Sequence, residues 1–60
     1  MDTFEAIRVI EGEEVADEDT QLEAWQHLVD TGLVWQLQGF YGRTAAQLLD
    51  AGVLAQPGRH

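Results

Sequence analysis

The chain contains few of the residue types that catalyse reactions or bind metals. Cys, Ser and Lys are all absent, so the usual nucleophiles are missing apart from Thr. The two histidines, His27 and His60, are 33 residues apart and lack the spacing of a metal site. Most acidic residues lie on an N-terminal segment that is expected to be flexible, where paired carboxylates would not be held beside a pocket. The sequence therefore predicts a protein that is not an enzyme and that binds no metal or cofactor.

The charge of the chain is distributed unevenly along its length. The formal net charge is −8, and residues 1–30 carry ten of the eleven acids with Arg8 as their one basic residue. Three arginines cannot form a basic surface for phosphates, which argues against direct binding of nucleic acid or of anionic membranes. Apolar runs such as Leu33–Trp35 are too short to span a bilayer or to act as a signal peptide. These features predict a soluble protein that is made without an export signal.

Two similar segments of the sequence predict helix ends. Residues 27–34 (HLVDTGLV) and 47–54 (QLLDAGVL) each place a glycine where a left-handed residue can follow a helix. In a Schellman ending, Leu33 would contact Leu28 and Val53 would contact Leu48. Gly12 predicts a third helix end without such an apolar pair. The first helix is therefore expected to be the most loosely held.

Caps, apolar spacing and glycines divide the chain into four segments. These are a short helix (1–12), an acidic linker (13–19), a compact helical unit (20–54) and a disordered tail (55–60). Thr20 and Glu23 fit a capping box that begins the second helix, which runs to about Thr31. The rest of the unit is predicted as a short helix (33–38), a glycine-rich turn (39–42) and a last helix that begins near Arg43 or Thr44.

The fold class predicted from these elements is all-α, a small bundle of three to four short helices. A chain of this size buries only about 60% of the surface that its unfolded form exposes. Because the chain has no Cys, disulfides cannot supplement such a small core. Self-association is therefore expected to complete the bundle, most simply as a homodimer.

A block in the second half of the chain resembles a known family. The pattern is an apolar helix end, TG, a Trp, LQG, YGR and a closing helix that ends in glycine. The matching positions are 28–32, Trp35, 37–39, 41–43, Ala45 and 48–52. This pattern is similar to that of very short, functionally uncharacterised proteins of bacteriophages and prophages, and it covers about half of the chain. The resemblance implies a phage or prophage origin and a small helical fold, and it brings no activity or catalytic residue.

Aromatic side chains are the best candidates for a binding surface. Trp25 and Trp35 belong to the residue type most enriched in binding hot spots, although Trp25 is expected in the core. Phe40 and Tyr41 lie between glycines, where at least one ring would stay exposed. Arg43 is expected to stack on Tyr41 or to form an ion pair with an aspartate, either residue 30 or residue 50.

Two functional hypotheses follow from these residues. The leading one is a phage-type module in the host cytoplasm that binds a host protein, or a second copy of itself, through an aromatic helical face. The residues of that face are Trp35, Phe40, Tyr41 and Arg43. The alternative is an acidic decoy that imitates nucleic acid and binds a host nucleic-acid-binding protein. Its candidate residues are Glu13, Glu14, Asp17, Glu18 and Asp19. A minor structural or assembly component of a phage particle is a third hypothesis.

Overall fold

A computed structural model of the chain describes residues 1–57, which form three α-helices and one 3₁₀ turn. The α-helices are α1 (Thr3–Ile10), α2 (Glu18–Thr31) and α3 (Gly39–Asp50), and the 3₁₀ turn (Leu33–Trp35) lies between α2 and α3. No strand occurs among the described residues, which confirms the predicted all-α class. Within the same range, no helix is long and apolar enough to cross a membrane.

The core is built on one face of α2. Four side chains on this face are buried, and they are Ala24, Trp25, Leu28 and Val29. Every other element adds buried side chains to this face. These are Ala6 and Val9 of α1, Val34 of the 3₁₀ turn, Tyr41 and Ala45 of α3, and Leu54 after α3. The helical spacing predicts a face of Leu22, Trp25, Leu28 and Val29. The last three are buried as predicted, whereas Leu22 is only partly buried.

Two aspartates cap the N-termini of α1 and α2. Asp2 accepts a hydrogen bond from the Glu5 N–H at 2.7 Å, and Asp17 accepts one from the Thr20 N–H at 2.9 Å. The bonds from Thr20 favour the ionised carboxylate and hold the pKa of Asp17 below its ordinary value of 3.8. α2 therefore begins at Glu18, and the prediction of a start at Thr20 after a linker over 13–19 is wrong. The earlier start places two acids at the positive end of the helix dipole, where they stabilise the helix.

Each α-helix is followed by a glycine with a left-handed backbone, as the sequence predicts. Gly12, Gly32 and Gly52 have φ angles of 83°, 77° and 78°. Apart from the two residues adjacent in the chain, no described residue has an atom within 4 Å of a Cβ placed on any of them. The backbone conformation, and not crowding, is therefore what requires glycine at these positions.

The end of α1 has the same pattern of backbone hydrogen bonds as the end of α3. The Glu13 N–H donates to the Arg8 carbonyl oxygen at 2.9 Å, which is the long bond of a Schellman ending. Ala6 and Val9 of this helix are buried in the shared core. α1 is thus part of the core, and the expectation that it is the most loosely held element stays a prediction.

The endings of α2 and α3 differ in how they satisfy the last carbonyl groups. After α2, the Thr31 hydroxyl donates to the Leu28 carbonyl oxygen at 3.2 Å and accepts from the Leu33 N–H at 3.4 Å. After α3, the Val53 N–H donates to the Leu48 carbonyl oxygen at 3.0 Å. The Val53 side chain is 47% exposed and lies outside the core, whereas Leu48 is partly buried against it.

The chain after α3 packs back onto α2. Leu54, and not Val53, enters the core and is 6% exposed. The backbone N–H and carbonyl oxygen of Ala55 both bond to the Gln26 side chain, at 2.9 and 2.8 Å. The predicted tail over 55–60 is therefore attached at its first residue, and its last three residues lie outside the described range.

α3 begins at Gly39, four residues earlier than the predicted start at Arg43. The predicted turn over 39–42 is the first turn of this helix, and neither of its glycines has a positive φ. Each glycine costs about 1 kcal/mol relative to Ala in a helix. Burial of Tyr41, which is 5% exposed, offsets this cost. The predicted helix over 33–38 is likewise shorter and consists of the 3₁₀ turn alone.

Tyr41 links the start of α3 to the end of α1. Its hydroxyl donates a hydrogen bond to the carboxylate of Glu11, and its ring centroid lies 5.8 Å from that of Trp25. Burial, with a further contribution from the hydrogen bond and charge of Glu11, raises the pKa of Tyr41 from 10.0 to about 12. The contact holds together two elements that are far apart in the sequence.

Paired glycine substitutions test the left-handed helix ends. Gly32→Ala should lower the free energy of unfolding by about 1 to 2 kcal/mol, because a Cβ strains a left-handed backbone. Gly42→Ala should raise it by up to about 1 kcal/mol, because that glycine is helical. A Cβ at position 42 would lie 3.8 Å from Trp35 Cε3, an ordinary contact. Urea denaturation followed by circular dichroism measures both changes, and effects of the same sign would contradict the assignment.

Titration of the one tyrosine in the sequence tests its link to Glu11. Glu11→Gln should lower the pKa of Tyr41 from about 12 toward 10.0, measured by ultraviolet absorbance. Glu13→Gln removes a neighbouring acid and should leave this pKa unchanged. Because the folded pKa lies above the unfolded one, the wild type should lose stability as the pH rises from 10 to about 12, whereas Tyr41→Phe should not. An unchanged pKa in Glu11→Gln would show that the hydrogen bond contributes nothing.

Candidate protein-binding site

The structure separates the aromatic residues that the sequence groups together. The side chains of Trp35 and Phe40 are each 51% exposed, whereas Tyr41 is 5% exposed. Phe40 is therefore the exposed ring of the pair. The prediction that Tyr41 belongs to the binding surface is wrong, because its ring is in the core and its hydroxyl is bonded to Glu11.

Trp35 and Phe40 lie on opposite flanks of α3. Positions 40 and 42 are about 200° apart around a helix with 3.6 residues per turn. Trp35 lies beside Gly42, whereas the Phe40 ring packs against Trp25 and Tyr41 with centroid distances of 6.1 and 5.2 Å. The expected single aromatic face is therefore divided into two separate surfaces.

Trp35 lines a shallow groove of about 330 Å³, which we call the Trp35 groove. Its other lining residues are Ala46, Leu49, Asp50 and Gln56. Ala46 and Leu49 supply apolar surface, and Asp50 supplies a carboxylate. Within the described residues, Asp50 forms no ion pair and no side-chain hydrogen bond. The groove thus combines an aromatic ring, apolar surface and a negative charge that is available to a ligand.

Three elements position the residues of the Trp35 groove. The 3₁₀ turn carries Trp35, and the preceding residue, Val34, is fully buried and anchors the turn. α3 carries positions 46, 49 and 50, whose spacing places them on one side of a helix. Gln56 follows the residue that Gln26 binds through two hydrogen bonds. The groove is therefore assembled from segments that are fixed independently of one another.

Arg43 is exposed and lies over the first turn of α3. Its Nη1 atom is 3.0 Å from the position that a Cβ on Gly39 would occupy. In the described part of the chain, it forms neither of the predicted ion pairs, with Asp30 or with Asp50, and it does not stack on Tyr41. Asp50 is two helical turns farther along α3, and Tyr41 faces the opposite side of the helix.

The five acidic residues of the decoy hypothesis are exposed, but they do not form one flexible arm. Glu14 accepts a hydrogen bond from Arg8 at 3.0 Å and forms with it the single ion pair within residues 1–57. Asp17 caps α2, and the two acids that follow it form the first turn of that helix. Most of this charge therefore has a local structural role at the helix ends.

The structure contains a second groove and an interhelical contact that the sequence does not predict. The groove, of about 280 Å³, is lined by Met1, Glu23, Gln26, His27 and Asp30. Close to it, Thr3 Oγ1 and His27 Nε2 are within hydrogen-bond distance, at 3.2 Å. No sequence pattern indicates this contact, because it depends on how α1 packs against α2. Over residues 1–57, no group of three or more His, Cys, Asp or Glu residues could hold a metal ion.

Comparison with known proteins places the chain in a family but brings no activity. No curated protein and no solved structure matches it. Residues 5–60 match a family described as a domain of unknown function, DUF7417. The matched range includes most of α1, all of α2 and α3, and every residue of the Trp35 groove. Because the match extends over nearly the whole sequence, the chain belongs to the DUF7417 family.

Proposed function

We propose that this protein is a non-catalytic binding module whose Trp35 groove receives a segment of a partner protein. The observation that carries the proposal is the position of Trp35. Half of the Trp35 side chain is exposed beside apolar surface, whereas the other tryptophan, Trp25, is buried in the core. Burial of an indole against a partner recovers apolar surface free energy, and Trp is enriched in binding hot spots.

The charge of the chain favours a positively charged partner. The formal net charge is −8, and Asp50 adds a carboxylate to the groove itself. A second copy of the chain carries the same net charge of −8 and the same Asp50, which disfavours its docking at this groove, so the predicted self-association would use another surface. We therefore assign the groove to a different, basic protein, whose association the acidic surface would accelerate.

The resemblance of residues 28–52 to short phage proteins supports the biological setting of this proposal. A phage or prophage protein that has no catalytic role would act in the host cytoplasm on a host protein. The acidic-decoy hypothesis has less support, because Glu14 and Asp17 are engaged at helix ends. A role in particle assembly has no supporting contact in the described residues.

Matched aromatic substitutions test the groove. A partner captured from host lysate would be purified, and its dissociation constant measured by calorimetry. Trp35→Ala should weaken binding by about 2 kcal/mol or more, as for a central hot-spot residue. Phe4→Ala is the control, because Phe4 is 73% exposed and lies outside the groove. Phe40→Ala, on the opposite flank of α3, should also bind normally. Circular dichroism would confirm that all variants fold.

The same measurement separates the proposal from the acidic decoy. If the decoy hypothesis is correct, neutralising its five acids together and raising the salt concentration should remove most of the affinity. Trp35→Ala would then bind as tightly as the wild type. That outcome would overturn the proposal that the Trp35 groove is the binding site.

Sedimentation equilibrium tests the predicted self-association. If the small core needs a second copy, the mass at micromolar concentration should exceed 6.7 kDa, and the melting temperature should rise with protein concentration. Trp35→Ala should not change this mass, because we propose that the Trp35 groove binds another protein and not a second copy of the chain. A monomer at every concentration would contradict the predicted homo-oligomer. A mass that falls only in Trp35→Ala would show that a second copy occupies the groove.

A further inference from the structure

We infer that the Trp35 groove takes an arginine side chain of the partner. This inference rests on the proposed function and names the group that anchors the partner. It follows from the lining of the groove, which offers a separate contact for each part of an arginine. The parts are the aliphatic stem, the flat face of the guanidinium and its positive charge.

The apolar and aromatic surfaces of the groove match the stem and the face of the guanidinium. Ala46 and Leu49 offer aliphatic carbon, on which the methylene groups of a long basic side chain pack. The Trp35 indole is half exposed, and none of the other described aromatic rings stacks on it. An indole is the aromatic ring that binds cations best, and guanidinium groups stack on it in parallel.

The carboxylate of Asp50 completes the site for a cation. It lies in the last turn of α3, where the carbonyl groups at the negative end of the helix dipole add to its charge. It has no ion-pair partner within residues 1–57. A negative charge at this end destabilises a helix, so helix stability does not account for the acid at position 50. Binding of a positive group would remove this penalty.

The combination favours arginine over lysine. A guanidinium presents several N–H donors in one plane, so it can bond to a carboxylate while its face lies on the indole. The Gln56 side chain offers a further acceptor oxygen at the same groove. A lysine ammonium is a compact charge that cannot make the planar contacts together.

Peptide titration followed by nuclear magnetic resonance tests the inference with the full chain, labelled with ¹⁵N. The probe is a blocked five-residue peptide with one central arginine between alanines and glycines. Its matched control carries citrulline, which keeps the shape of arginine and removes the charge. The arginine peptide should produce saturable shifts of the Trp35 indole N–H and of the backbone amides of Asp50 and Gln56. The citrulline peptide should bind several-fold more weakly, because it cannot form the cation–π contact with Trp35 or the ion pair with Asp50.

Two substitutions that change the net charge equally show whether Asp50 contacts the peptide directly or contributes only to the net charge of the chain. Asp50→Asn should weaken binding of the arginine peptide by about threefold to fivefold, as expected for a partly exposed ion pair. It should not destabilise the fold, because it removes a charge that opposes the helix dipole. Glu13→Gln, whose carboxylate is exposed and outside the groove, should leave binding unchanged.

Three outcomes would overturn the inference. The first is equal binding of the arginine and citrulline peptides. The second is equal weakening by Asp50→Asn and Glu13→Gln. The third is tighter binding of a matched peptide that carries lysine in place of the central arginine. If the inference fails while Trp35→Ala still loses the purified partner, the groove binds an apolar anchor and the proposed function stands. If the arginine peptide binds in the groove while Trp35→Ala retains the partner, the proposed function fails.

Discussion

Burial of one face of α2 is the interaction on which the rest of this structure depends. The described residues contain no cysteine, and the helices have only 8, 14 and 12 residues. Isolated helices of this length are marginal in water, so they persist here because they pack on Trp25, Leu28 and Val29. The core is small, and each element adds only one or two buried side chains to α2. Loss of any one of them therefore removes a large share of the stabilising contact.

The candidate site is a consequence of how α3 packs on this core. Tyr41 and Ala45 face inward, which extends the helix through the two glycines of its first turn. That orientation places Phe40 on one flank and Gly42 on the other. The Trp35 indole lies beside Gly42 and forms the groove along α3. Burial of Tyr41 and Ala45 sets the orientation of α3, and burial of Val34 sets the position of the turn that carries Trp35.

The acidic residues fall into two groups with different physical explanations. Near the N-terminus, Asp17 caps a helix, Glu14 pairs with Arg8, and Glu11 accepts a hydrogen bond from Tyr41. The helix dipole favours the charge of Asp17, and hydrogen bonds favour those of Glu14 and Glu11, so local contacts account for these three acids. Asp50 lies in the last turn of α3, a helix end that disfavours an acid, as Asp30 does in α2. Asp50 is the one of these two acids that lines the Trp35 groove.

Local rules of sequence determined the helical class, most of the buried face of α2 and the three glycine helix ends, because each depends on residues within one or two turns. The same rules placed Thr20 and Arg43 at helix starts, and there the structure differs. Asp17, and not Thr20, caps α2. Burial of Tyr41 stabilises a helical start that includes the two glycines at positions 39 and 42. The groove at Trp35 could not be predicted either, since its lining comes from three separate segments. Tertiary structure alone decided which aromatic ring is buried, because that depends on partners such as Glu11, which is 30 residues away from Tyr41 in the sequence.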